Sequence, residues 1–499
     1  MTAEPELAEV AATAETPAVA RDQASVAGGL WSAQRRALTT GLVLTITFIA
    51  SEALAVVTIM PVVARDLGGL RLYGWVFSAF MLGNVVGIVA AGRQADRYGP
   101  ARPFIAGLTL FCAGLATAGL APSMLVLVGG RALQGIGAGA VPAVAYVAIG
   151  RTLPEQLRAR MMAVLSTAWV LPGLVGPAVS AAVATLVGWR WVFLGLLPLV
   201  AITGALAMPA LIRLGKRPPA DGDAGQGTAR EHKLSLGMSA AAGAGLILAG
   251  LTVTAGSAQI VLGCAMLVVG LPVTGLSLRR LLPAGTFAAR PGLPAVILCR
   301  GLLTFTFFGA DAYVTLTITT VRHHTPALAG LAVTGATLAW TAGAWLQSRL
   351  NGRWEARRLV GWGLVIIVVG LAAMALVLLP ATPIEIAVAA WTVAGFGIGL
   401  AYAPISLLML RAAPAGSEGW ASASLTLADV LGTALGIGAG GAAVAAATAH
   451  DWPLSAGVAV AFAIAGAGAI GLAVASRRLP RSLAGAIPSP VAAQTADPQ

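Results

Sequence analysis

Fourteen stretches of 18 to 30 mostly apolar residues, each broken off by glycine, proline or charged residues, run through the 499-residue chain. They cover residues 37–60, 74–92, 103–120, 123–149, 161–187, 191–212, 236–255, 259–278, 293–320, 328–346, 359–379, 384–410, 419–448 and 454–475. Each is long enough to cross a hydrocarbon core as a helix, so the pattern predicts an all-α polytopic membrane protein with fourteen transmembrane helices. The first six and the last six form two bundles, at 37–213 and 291–476. Residues 214–290 hold a polar cytoplasmic loop and an inserted two-helix hairpin, whose runs carry no charge and meet at little more than Gly256 and Ser257. The flanking segments 1–36 and 477–499 read as cytoplasmic tails, the first rich in Ala, Glu and Pro and disordered. It lacks the basic start and apolar centre of a signal peptide.

Within this pattern the costly residues stand out. Glu52 lies inside the first apolar run, where a carboxylate costs about 2.5–3.5 kcal/mol on insertion scales, so it should face a wet path or a partner. Asp311 repeats it 259 residues later, Ala310-Asp311-Ala312 echoing Ser51-Glu52-Ala53. An offset of 260 carries Gly135, Gly137 and Gly139 onto Gly395, Gly397 and Gly399, Gly176 onto Gly436, and Trp169 onto Asp429. Six helices duplicated in parallel orientation with a hairpin between them is a transporter architecture. A structural alternative for Glu52 is a plain buried pair with Arg131 or Arg300.

Composition agrees with the membrane. Apolar residues make up 58% and charged residues 10%, and the mean hydropathy is +0.86. The net charge of +12 does not mark a nucleic-acid binder, because the basic residues sit in short loops and not along one solvated face. Arg65, Arg71, Arg190 and Arg322 fall on one side and Arg131 and Arg300 inside apolar runs; the remaining 25 of the 31 basic residues fall on the other side. The positive-inside rule therefore puts both termini in the cytoplasm. Two lysines against 29 arginines suit a GC-rich bacterial genome. Cys112, Cys264 and Cys299 all lie in apolar runs as packing residues, with no metal-ligand spacing. With no nucleotide loop, metal cluster or nucleophile elbow, the chain is not read as an enzyme and calls for no cofactor or metal.

Four motifs then carry a resemblance. The loop Gly92-Arg93-Gln94-Ala95-Asp96-Arg97-Tyr98-Gly99-Pro100-Ala101-Arg102 is similar to the signature G-x-x-x-D-R-x-G-R-[KR]-[KR] of the major facilitator superfamily, with Pro100 and Ala101 at basic positions. Arg131-Ala132-Leu133-Gln134-Gly135-Ile136-Gly137 matches that family's R-x-x-Q-G-x-G. Pro172-Gly173-Leu174-Val175-Gly176-Pro177 resembles the antiporter signature G-x-x-x-G-P-x-x-G-G, with Pro172, Ser180 and Ala181 at glycine positions. Glu52, nine residues before Pro61, resembles the acid of L-D-x-T-x-x-x-x-A-L-P in the 14-span drug:proton antiporters, with Leu54 at the threonine position.

The resemblance implies a major facilitator fold in the cell membrane, exporting small amphipathic, drug-like and in part cationic molecules in exchange for protons by alternating access, as a monomer driven by the proton gradient alone. Glu52, Asp311 and Arg131 are the proton-coupling candidates. Glu52 and Arg131 each lie eight residues from an outer helix end, about 12 Å deep, so they can meet. Asp311, Gln134, Asn84, Tyr313, Trp391 and Asp429 are the substrate-binding candidates, with Trp169 a further cavity-lining candidate. Asp311 has no evident partner, since Arg300 lies about 16 Å along the same helix. Gly92, Asp96, Arg97, Gly99 and Arg102 form the candidate latch, Gly92 and Gly99 allowing close approach and turning. The second-half loop, 343–358, lacks the aspartate and should latch more weakly. Gly173, Gly176 and Pro177 are the helix-interface candidates. His323-His324 reads as a plain loop. Export or flipping of a lipid or secreted metabolite is the rival within transport, and a non-transporting receptor or scaffold the rival outside it.

Overall fold

A computed structural model describes residues 29–32, 35–153, 155–215, 226–253, 257–350, 353–414 and 417–480. In chain order the helices are α1 Arg36–Leu67, α2 Tyr73–Tyr98, α3 Ala101–Gly119, α4 Met124–Thr152, α5 Glu155–Thr167, α6 Val170–Val183, α7 Arg190–Leu194, α8 Leu196–Arg213, α9 Gln226–Thr252 and α10 Ser257–Leu281. They continue with α11 Leu293–Leu316, α12 Pro326–Leu350, α13 Ala356–Leu376, α14 Glu385–Ala412, α15 Glu418–Ala449 and α16 Leu454–Ser476. Among the described residues, fourteen spans are long and apolar enough to cross a membrane. Two compact units result: one of the described residues up to Gly68 and Ala79–Met238, the other of Gly69–Ser78 and the described residues from Ser239 onward.

The sequence repeat is a repeat of packing. In the first unit a Cβ at Gly135 would run into the Phe80 carbonyl, one at Gly137 into the Gly107 carbonyl and one at Gly139 into the Asn84 carbonyl. In the second unit the equivalent contacts are Gly395 with the Ala336 carbonyl, Gly397 with Gly363 and Gly399 with Trp340. In each half, three glycines spaced two residues apart let one helix pack backbone to backbone against two neighbours at once. Lipid tails are as apolar as the side chains, so this close contact supplies attraction that hydrophobic burial does not. Gly135→Ala is therefore expected to lower the stability of the detergent-solubilised protein by about 1–3 kcal/mol, because the obstacle is backbone and cannot swing away. Gly176→Ala should be near neutral, since nothing lies within 4 Å of a Cβ there. Equal thermal melts for the two variants would contradict the reading.

Several expectations need correction. The run 161–187 is not one helix: α5 ends at Thr167, α6 begins at Val170, and the far end winds as a π-helix over Ala184–Gly188. Pro172 cannot donate an N–H to the residue four before it, Ala168, which is where the chain breaks. The polar loop after α8 is shorter than expected, because α9 starts at Gln226. In the second half, 343–350 is helix, and the connection there is confined to the few residues before Ala356. The tail 1–36 is ordered where it meets α1. Gly29–Trp31 forms a 3-10 turn with Leu30 buried, its carbonyl accepting from the Thr39 hydroxyl at 3.2 Å. Residues 1–28 and 481–499 lie outside the described set. Of the cysteines, Cys299 is buried and Cys112 half-buried, but Cys264 is exposed.

Candidate functional site

Each unit holds one acid that the repeat places on its first helix, and each acid is met by a residue from the fourth helix of its half. In the first unit Arg131 of α4 donates through Nη1 to Glu52 Oε1 on α1, and the same nitrogen donates to Gln134 Oε1 at 2.8 Å. The guanidinium also lies over the Phe80 ring, 4.2 Å from its centroid. The two charges are 1% and 2% exposed, so this is a buried ion pair. Breaking such a pair by deleting one partner costs about 3–5 kcal/mol, far more than a surface pair is worth. The Arg190–Asp66 pair is the contrast: it spans 3.0 Å but is 43% and 50% exposed, so it contributes about 0–1 kcal/mol. The buried network is also incomplete. Among the described residues, Glu52 Oε2 and Gln134 Nε2 have no hydrogen-bond partner within 3.5 Å.

In the second unit the corresponding donor is an indole. Trp391 Nε1 of α14 donates to Asp311 Oδ1 on α11 at 2.7 Å. Arg131 and Trp391 are 260 residues apart, the offset of the glycine repeat, and Glu52 and Asp311 are 259 apart. The two pairs are thus the same contact made twice, once with a cation and once with a neutral donor. The expectation that Asp311 stands without a partner is therefore corrected. What it lacks is a counter-charge, because no Lys or Arg nitrogen within 4 Å of it is found among the described residues. The same offset applied to Arg131 leads to Trp391 from the sequence.

The remaining candidates divide. Tyr313 is fully buried and donates its hydroxyl to the Ile437 carbonyl, so it is packed among helices. Trp391 is also fully buried and stacks on Phe307 at 5.1 Å. Asn84 is half-buried on α2. Asp429 of α15 accepts from the Tyr402 hydroxyl at 2.8 Å. Trp169, at the break between α5 and α6, is 49% exposed. His323 and His324 are exposed, and His323 has a φ of 57°.

At the candidate latch, Gly99 has a φ of 83°, the left-handed turn a glycine suits best, and Arg97 and Arg102 both lie over the Tyr98 ring at 5.1 and 5.4 Å. Among the described residues nothing lies within 4 Å of a Cβ at Gly92, which is an interior residue of α2. Asp96 is in the same helix, and its side chain lies outside what is described. At the candidate interface Gly173 and Pro177 are buried, whereas a Cβ at Gly176 would meet nothing within 4 Å among the described residues. Among the described residues no group of three or more His, Cys, Asp or Glu could hold a metal ion. A groove of about 390 Å³ lies at Pro272, Gly275, Leu276, Arg279 and Phe287, lined by none of the candidates above.

The family profile described as Major Facilitator Superfamily matches residues 40–310, and the chain belongs to that superfamily. It is a polytopic transporter that moves small molecules across the cell membrane, related to the multidrug-efflux members of the family. It is 29% identical over 425 residues to a Mycobacterium tuberculosis protein named "Probable multidrug-efflux transporter", the match covering 83% of this chain and 89% of that one. It is 33% identical to a Bacillus subtilis protein named "Multidrug resistance protein 3", over 35% of this chain and 34% of that one. Among solved structures it resembles a D-xylose-proton symporter, with a TM-score of 0.58, 14% identity, and 91% and 98% of the two chains covered. It also resembles an auto-inhibited peptide transporter of the POT family, at 0.62, 18%, and 90% and 99%. These two likenesses concern the fold alone.

Proposed function

We propose that this transporter exports amphipathic drug-like molecules in exchange for protons, with Glu52 as the proton-carrying group and Arg131 as the charge that controls it. The observation that carries this reading is the buried Glu52–Arg131 pair with its unsatisfied Glu52 Oε2 and Gln134 Nε2. A neighbouring guanidinium favours the ionised form of a carboxylate and burial favours the neutral acid, so helix movement that changes their separation changes the proton affinity of Glu52. Gln134 follows Arg131 by three residues on α4, so both move with that helix. The relatives named for multidrug efflux and multidrug resistance favour drug-like cargo, and the half-buried Asp311, without a counter-charge among the described residues, suits a cationic one. Adding tetraphenylphosphonium to weakly buffered, purified protein should release protons, read with a pH-sensitive dye. Binding without proton release would defeat proton coupling.

The basic-residue asymmetry supports cytoplasmic termini. In a variant freed of its three native cysteines, a cysteine at Gly215, just after α8, should resist an impermeant thiol reagent in intact cells and react after permeabilisation. Labelling in intact cells would invert the orientation.

A further inference from the structure

Arg300, near the start of α11, is 2% exposed and has no acid oxygen within 4 Å among the described residues. It lies flat on Tyr402 of α14, its Cζ 3.5 Å from the ring centroid, and Nη2 donates to Ser406 Oγ. Nε and Nη1 have no hydrogen-bond partner among the described residues. The Tyr402 hydroxyl in turn donates to Asp429 Oδ2, and Asp429 Oδ1 likewise has no hydrogen-bond partner among the described residues. One tyrosine thus holds a cation on its face and an anion on its hydroxyl without letting them join. Eight buried side-chain nitrogen or oxygen atoms lack partners among the described residues, and three of them are in this one cluster. Buried polar groups are normally satisfied, and a buried charge left unpaired is costly, so such a concentration marks a place where something binds.

The neighbouring surface indicates what. Arg300, Phe308 and Asp311 follow at i, i+8 and i+11 and share one face of α11. Half-buried Phe308 lies 6.0 Å from Trp340 of α12, and Trp340 lies 5.4 Å from Tyr402. Three rings contributed by three helices therefore line the way from the arginine toward Asp311.

We infer that the second unit carries a binding site for planar aromatic molecules bearing an anionic group, with Arg300 recognising the anion, the Phe308–Trp340–Tyr402 rings stacking on the aromatic body, and Asp429 tempering the arginine's charge. A carboxylate matches the guanidinium in charge and geometry and satisfies its free N–H groups. With Asp311 as the anionic feature farther along the face, an amphoteric molecule fits better than a simple cation. The inference rests on the transporter reading for its cargo, but its test is equilibrium binding, which needs no proton coupling.

The test uses rhodamine B, a planar dye with a free carboxylate, and its ethyl ester, a cation otherwise identical, titrated by fluorescence polarisation against the purified full-length protein. Wild type is expected to prefer rhodamine B by roughly tenfold, the size of one charge-assisted contact. Arg300→Gln should remove that preference by weakening rhodamine B, without weakening the ester. Asp429→Asn should move it the other way and tighten rhodamine B, because the arginine loses its restraint. A merely structural role for the pair would weaken both dyes in both variants, and that result overturns the proposal. So does a wild type that binds rhodamine B no better than its ester, or not at all. If Arg300→Gln fails to fold, Asp429→Asn decides alone by the direction of its change. Failure of proton coupling would appear only in the proton-release experiment and leaves these outcomes distinct.

Discussion

Glu52→Gln is expected to reduce proton-driven export to background while substrate still binds. The amide keeps the shape of the glutamate and still offers an oxygen to Arg131, so the hydrogen bond survives although the counter-charge does not, and the loss of stability should be smaller than for alanine. What is lost is the ability to exist in two charge states, and a group that cannot change charge cannot tie substrate movement to proton movement. Glu52→Ala is the harsher change. It leaves Arg131, 2% exposed, without its anion, and should destabilise the fold by about 3–5 kcal/mol, enough to depress expression and melting temperature. Proteoliposomes with an imposed pH gradient, together with equilibrium binding of tetraphenylphosphonium, separate the two effects. A Glu52→Gln protein that still accumulates substrate against a gradient would falsify the role given to Glu52.

Asp311→Asn should act on a different step. Asp311 has a neutral donor, Trp391 Nε1 at 2.7 Å, where Glu52 has a cation. A bound cationic substrate can therefore supply the positive charge that the protein leaves out. Replacing the carboxylate by an amide turns a charge-assisted contact into a neutral one, and cation affinity should fall about tenfold, or about 1.4 kcal/mol. Neutral substrates should be nearly unaffected, and proton release on their binding should persist. Calorimetric titrations with one cationic and one neutral ligand check this, and equal losses for both would remove Asp311 from cation recognition. Trp391→Phe gives a finer control, since it deletes the indole N–H, keeps an aromatic ring beside Phe307, and should leave the preference for cations in place.

How much of the site is legible in the chain differs from residue to residue. Glu52 and Asp311 stand out in the sequence because a carboxylate in a long apolar run is improbable without a reason. Matching Glu52 to Arg131 by depth needs only the helical rise, and the two side chains do meet. Arg300 is visible as a charge in an apolar run, but that no described acid comes within ion-pair distance of it is not. That depends on Tyr402 and Asp429, 102 and 129 residues further on, and on which face of α14 turns toward α11. The latch and antiporter motifs are legible as patterns. Among the described residues no backbone comes within 4 Å of a Cβ at Gly92 or Gly176, and a glycine in a sequence does not reveal whether a neighbouring backbone comes close.

The sequence by itself determined the fourteen spans, the duplication and the two acids, since membrane insertion reads apolar length and the duplication survives as fixed offsets between glycines and acids. Tertiary structure alone decided how those acids are partnered. Glycine-mediated contact brings α4 against its neighbours in the first unit and α14 against its neighbours in the second, and the residue at the repeated position is arginine in one and tryptophan in the other. Whether a buried carboxylate meets a cation or a neutral donor depends on side chains converging from separate helices. Hydropathy and spacing carry no record of that convergence, because it is set by packing at distances of a few ångströms between segments far apart in the chain.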